Sequence, residues 1–202
     1  MRVLNYDELL NIKTGGDHRG YNKSFHYHRY EATPYSALEL LFARYQLTSS
    51  DHIVDFGCGK GRLNFYIHRF FQASVAGVEM NETLYQEAIE NQNSYVKKYK
   101  NGKDKIQFHC CLAEKYEITP LDNRFYFFNP FTIPIFWKVI DHILASVENF
   151  KREVDVILYY PSEDYIYFLE NHTVFELIEE IQLPGLYEHN PNERFLIYRL
   201  AY

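Results

Sequence analysis

The nine residues VDFGCGKGR, positions 54–62, constrain this chain more than any other stretch. An apolar run closes on an acid, Asp55. Glycines recur at Gly57, Gly59 and Gly61, and LNFYIHRFF continues with apolar residues at helical spacing. Glycine permits positive φ, and it lets a ligand approach the backbone where a side chain would block it. The pattern predicts a strand, a tight turn and a helix, the unit from which ligand-binding α/β sheets are built. The spacing is DxGxGxG. It differs from the GxGxxG pattern that sets a pyrophosphate on a helix N-terminus, because Arg62 stands where the third glycine belongs.

Similar alternation fills the rest of the chain. SVAGVEM (74–80) reads as the second strand, and Asn81 as the cap of a helix over 82–99. Asn101-Gly102 signals a turn before a third strand in KIQFHCCL (105–112). RFYFFNP (124–130) is the fourth strand, and 133–149 is helical with Pro134 in its first turn. The continuous apolar run of VDVILYYP (154–161) suits a fifth strand covered on both faces. After a short helix over 163–171, VFELIEEIQL and RFLIYRLAY should pair as an antiparallel hairpin. Ahead of the sheet, TPYSALELLFARY reads as a helix with Thr33 as cap and Pro34 at its first position. The expectation is one α/β domain over 1–202, with 1–32 as an N-terminal flap or lid.

Two acids give the turn its chemistry. Asp55 at its mouth would repel a pyrophosphate and suits an ammonium group. Glu79, at the end of the second strand, can accept from both hydroxyls of a ribose, and Met80 can pack on an adenine ring. A ribose acceptor joined to an ammonium acceptor describes S-adenosylmethionine (SAM) better than NAD or ATP. The blander alternative is a tight strand–helix connection with Glu79 as a solvated strand end.

VDFGCGKG and GVEM resemble the first two motifs of the class I SAM-dependent methyltransferases, from about Tyr30 onward. The resemblance implies a Rossmann-like, seven-stranded, mostly parallel sheet with an antiparallel C-terminal strand and helices on both faces. It also implies SAM as cofactor, with the glycine loop along its methionine part and Glu79 on its ribose. Many members bind the adenine amine through an acid after the third strand. Here that stretch is Cys111-Leu112-Ala113-Glu114, so a backbone contact at Ala113 or the Glu114 carboxylate must substitute.

FFNPF (127–131) falls at the end of the fourth strand, and it resembles the (Asp/Asn)-Pro-Pro-aromatic signature of methyltransferases acting on amino groups, with one proline missing. Asn129 is the candidate acceptor-holding residue. In the alternative, Pro130 merely ends the strand and Phe131 packs in the core. HYHRYEATPY (26–35) looks like a lid over the cofactor. Within it Arg29 could pair with the methionine carboxylate, and Tyr30 or Tyr35 could close on the sulfonium. His28 or His26 could serve as general base. Asp141 and His142 are adjacent and so on different faces of a helix, and no metal is expected.

With 47% apolar and 18% aromatic residues, a chain of 202 residues can bury a full core. No run reaches the roughly 20 apolar residues of a membrane helix. The cysteines Cys58, Cys110 and Cys111 form no disulfide or zinc pattern, which suggests a cytoplasmic protein. A net charge of −6 disfavours a nucleic-acid partner, so a small-molecule or protein acceptor is expected, with no membrane partner. Oligomeric state leaves no trace in the sequence. The rival to an enzyme is a non-catalytic SAM-binding sensor or partner subunit, since the acceptor motif is incomplete beside an intact cofactor turn.

Overall fold

The computed structural model describes residues 5–16, 28 and 30–201. Its strands are β1 (His52–Phe56), β2 (Ser74–Glu79), β3 (Ile106–Cys110), β4 (Arg124–Phe127), β5 (Val154–Tyr159), β6 (Glu176–Gln182) and β7 (Arg194–Leu200). They form one sheet in the order β3-β2-β1-β4-β5-β7-β6. The first five run parallel, while β7 lies antiparallel to β5 and pairs with β6 as an antiparallel hairpin. The helices are α1 (Tyr6–Leu10), α2 (Tyr35–Arg44), α3 (Arg62–Phe71), α4 (Glu82–Lys98), α5 (Gly102–Lys105), α6 (Ile133–Asn149) and α7 (Glu163–His172). This is the Rossmann-like architecture that the glycine turn leads one to expect.

Both faces of the sheet are covered, and β5 shows why its sequence is apolar throughout. Val154, Val156 and Leu158 enter one core with α6 and α7, while Ile157 and Tyr159 enter the other with α2 and α3. On α6, Ile135, Phe136, Val139, Ile140, Ile143 and Val147 share the buried face. Each such side chain contributes about 1.5–3 kcal/mol by leaving water. The one acid of β5, Asp155, is fully buried. It accepts from Arg199 Nε and Nη2 at 2.8 and 2.9 Å and from the Tyr45 hydroxyl, so a charge-assisted pair fastens β7 to β5.

Two local expectations need correction. Pro34, not Thr33, is the N-cap of α2 and gives it no side-chain bond; the Thr33 hydroxyl is engaged with the Tyr126 hydroxyl at 2.8 Å instead. The Asn101-Gly102 turn opens the single-turn helix α5. Of the N-terminal residues, Leu10 and Ile12 are buried in a third cluster with Phe65, Tyr95 and Ile106. A five-residue helix is too short to show periodicity, which is why α1 went unread. Among the described residues no helix is long and apolar enough to cross a membrane.

Candidate active site

The strand order reverses between β1 and β4, and in open α/β sheets such a switch point opens a crevice beyond the carboxyl ends of the strands. The glycine turn follows β1 there. Gly57, Gly59 and Gly61 all have positive φ, at 78°, 53° and 84°. Gly57 and Cys58 donate their N–H groups to the Val78 carbonyl at 2.8 and 3.1 Å, and Gly59 donates to Glu79 Oε2 at 2.9 Å. Glu79 Oε1 accepts from Asn81 N at 2.8 Å, while the Asn81 side chain caps α4. One carboxylate thus joins the turn to the next helix.

Asp55 lies beneath the turn rather than at its mouth, since β1 continues through Phe56. Its side chain faces α3, where Asn64 Nδ2 donates to Oδ2 at 3.0 Å and Asn64 Oδ1 accepts from Gly77 N at 3.3 Å. No described Lys or Arg forms an ion pair with it. Burial first, and then the neighbouring Glu79 charge, push the Asp55 carboxyl up to about 8. A buried acid in this position gains from a cation brought near it.

The other wall of the crevice follows β4. Asn129 has φ 40°, and its buried Oδ1 has no hydrogen-bond partner among the described residues. His28 spans the same loop. Its backbone N–H donates to the Pro130 carbonyl at 2.9 Å, and its Nδ1, 2.6 Å from the Asn129 carbonyl oxygen, must carry the proton there. Tyr30 lies on the glycine turn so closely that a Cβ added at Gly59 would fall 2.0 Å from its ring. Its hydroxyl donates to the Thr14 carbonyl at 2.9 Å. Between Tyr30, Gly57, Glu79, Met80, Phe128 and Pro130 remains a cavity of about 50 Å³.

The structure therefore gathers Gly57, Glu79, Met80, His28 and Tyr30 around one cavity, with Asp55 below it and Asn129 beside it. Ala113 and Glu114 are not brought there. A 3-10 turn over Ala113–Lys115 buries Ala113 in the core with Val78 and sets Glu114 in a groove with His142 and Asn149. Arg29 and His26 lie outside the described residues. Phe131 is fully buried, as the alternative reading of FFNPF had it. The sequence reading missed Asn64, whose role required knowing that the first turn of α3 faces β1. It also passed over Lys60 and Arg62. Arg62 donates from Nε to Thr14 Oγ1 at 2.8 Å and from Nη1 to the Thr33 carbonyl at 3.1 Å, with its guanidinium 4.5 Å from the Tyr35 ring. Lys60 pairs with Glu87 at 2.9 Å and stands 5.5 Å from the Tyr30 ring.

No protein-family model matches the sequence, and no curated protein matches it either. Solved structures do match the fold. An RNA methyltransferase from Salinibacter ruber, in complex with S-adenosylhomocysteine (SAH), superimposes with a TM-score of 0.58 at 16% identity, over 84% of this chain and 92% of its own. An rRNA methylase from Streptococcus thermophilus gives 0.53 at 13% identity, over 81% and 93%. Geranyl diphosphate C-methyltransferase from Streptomyces coelicolor, in complex with SAH, gives 0.53 at 11%, over 82% and 77%. The fold is that of the class I SAM-dependent methyltransferases, and at these identities the likeness carries the fold alone.

These neighbours overturn one expectation. Nucleic acid was disfavoured as a partner because the chain carries −6 overall, yet RNA-methylating enzymes share its fold. Net charge averages over the whole surface, whereas phosphates are held by a local run of bases. Positions 18–30, HRGYNKSFHYHRY, contain two arginines, one lysine, three histidines and no acid.

Proposed function

We propose that this chain is a SAM-dependent methyltransferase and that its acceptor is RNA. The observation that carries the cofactor reading is the pair of acids at the glycine turn on a methyltransferase sheet: Glu79 at the end of β2, and Asp55 buried beneath with no ion pair among the described residues. The residues fit SAM. Glu79 would accept from the ribose hydroxyls, Met80 would flank the base, and the side-chain-free Gly57 and Gly59 would face the methionine part. An ammonium brought above Asp55 would favour the ionised form of its carboxyl and so draw the proton off it. A cavity of about 50 Å³ is small beside the roughly 300–1,000 Å³ of ligand pockets, so admission of SAM requires Tyr30 to withdraw from Gly59.

Bound SAM would supply a methyl carbon activated by its sulfonium, with the thioether of SAH as the leaving group. The chain's own residues have the task of orientation and exclusion of water. Asn129 is the proposed acceptor-holding residue, because its buried Oδ1 has no hydrogen-bond partner among the described residues. His28 would position the Asn129–Pro130 backbone through its two bonds to the loop.

RNA is supported by the fold neighbours that methylate it and by the acid-free run at 18–30. That run interleaves its bases with Tyr21, Phe25, Tyr27 and Tyr30, a composition suited to single-stranded nucleic acid. Incubation with methyl-labelled SAM and total cellular RNA tests the reading. Label in material sensitive to ribonuclease is the expected result. Binding of SAM without label in any acceptor would instead favour the sensor or partner-subunit alternative.

A further inference from the structure

Four described residues other than glycine have positive φ: Asn11, Gln72, Asn129 and Tyr160. Asn11 and Gln72 are the C-caps of α1 and α3, where left-handed backbone is ordinary. Asn129 and Tyr160 end no helix. They stand just beyond the carboxyl ends of the adjacent parallel strands β4 and β5, and continuing the register in which Phe127 faces Leu158 brings them level. Each also precedes a proline, Pro130 or Pro161, a position that favours extended backbone. For a residue as bulky as tyrosine, φ of 51° is an outlier.

Such strain persists where surrounding contacts enforce it, and it concentrates at functional sites. Tyr160 is held on several sides. Its N–H donates to the Arg194 carbonyl at 3.1 Å, and its hydroxyl accepts from Asn190 Nδ2 at 2.7 Å, in the connection between β6 and β7. Its ring lies 6.4 Å from that of Phe128, tilted by 62°. Phe128 in turn lines the cavity beside Gly57 and Glu79. Along the carboxyl ends of the strands the order is therefore Glu79 on β2, the glycine turn after β1, Phe128 and Asn129 after β4, and Tyr160 after β5. Both aromatic rings are partly exposed.

We propose that Tyr160, with Phe128, forms the acceptor end of this crevice and selects a flat ring, a nucleobase of RNA, as the group that receives the methyl. The proposal rests on the methyl-transfer reading above. The partly exposed Tyr160 ring, with Phe128 edge-on to it, offers a stacking surface next to Asn129 Oδ1, which has no hydrogen-bond partner among the described residues and can accept from a donor on the edge of the same base. The bond from Asn190 fixes the Tyr160 ring and couples its placement to the β6–β7 connection.

Two variants test the proposal. Tyr160→Phe keeps the ring, while Tyr160→Asn removes it and leaves a residue that tolerates left-handed backbone, so both should fold. Each should bind SAH as the native chain does, by titration calorimetry, because Tyr160 lies at the far end from Glu79. With labelled SAM and total cellular RNA, Tyr160→Asn should lose about tenfold or more in kcat/KM, the scale of one base–aromatic stack. Tyr160→Phe should retain most of it. Equal rates for all three proteins would overturn the proposal, as would label appearing in protein and not in RNA. If the native chain fails to bind SAH, the methyl-transfer reading itself fails and the inference goes with it.

Discussion

Asp55 is buried beneath the glycine turn with an acidic neighbour, Glu79, and a single amide donor from Asn64. Its carboxyl, pushed up to about 8, holds a proton through the neutral range. A raised folded-state value fixes the sign of the pH dependence: the stabilisation is complete at acid pH and is lost as pH rises towards and through about 8. The unfolding temperature of the native chain should therefore fall between pH 6 and pH 9 more steeply than that of Asp55→Asn, which cannot ionise. Parallel curves for the two proteins would show that Asp55 is not the group responsible. The sequence located this acid through its place before Gly57, but it put Asp55 at the mouth of the turn. Its depth depends on β1 continuing one residue further and on Asn64 facing it, and neither is visible in spacing. Tyr160 was equally hidden, because a left-handed tyrosine before a proline looks in sequence like an ordinary strand end.

Among the elements, those with long periodic patterns were legible: α4, α6 and the strands stand within a residue or two of where alternation put them, except β4, which ends at Phe127 and not at Pro130. The N-terminal residues were not. Residues 5–16 carry a five-residue helix and gain their place through partners distant in sequence, chiefly Arg62, Asn91 and Lys60. Arg62 served in the sequence only to exclude a dinucleotide pattern, yet it bonds to Thr14 and to the Thr33 carbonyl and so ties both to the start of α3. Tyr30 covers Gly59. If Tyr30 must withdraw before SAH enters, the observed association rate should level off at high SAH, limited by that withdrawal. Tyr30→Ala should remove that plateau and tighten apparent binding, since the competent arrangement is no longer a minor one. Weaker binding by Tyr30→Ala would instead make this ring a direct contact to the ligand.

Taken as a whole molecule, the chain shows how far fold and charge reach as arguments. A mostly parallel sheet with an antiparallel hairpin at its end was legible in a sequence with one strong motif, and solved methyltransferases share the fold at 11–16% identity. The acceptor class was not legible from bulk properties. An overall charge of −6 hid the acid-free run at 18–30, because local, not net, charge meets a phosphate. What unites the account is the claim that Asp55 and Glu79 bracket SAM at the glycine turn. Titration calorimetry of SAH into the native chain, Asp55→Ala and Glu79→Ala tests it most directly. The account predicts saturable binding by the native chain and a loss of about tenfold or more in each variant, the scale of a hydrogen bond or contact to a charged group. Absence of binding by the native chain, or equal affinity in all three folded proteins, would contradict it.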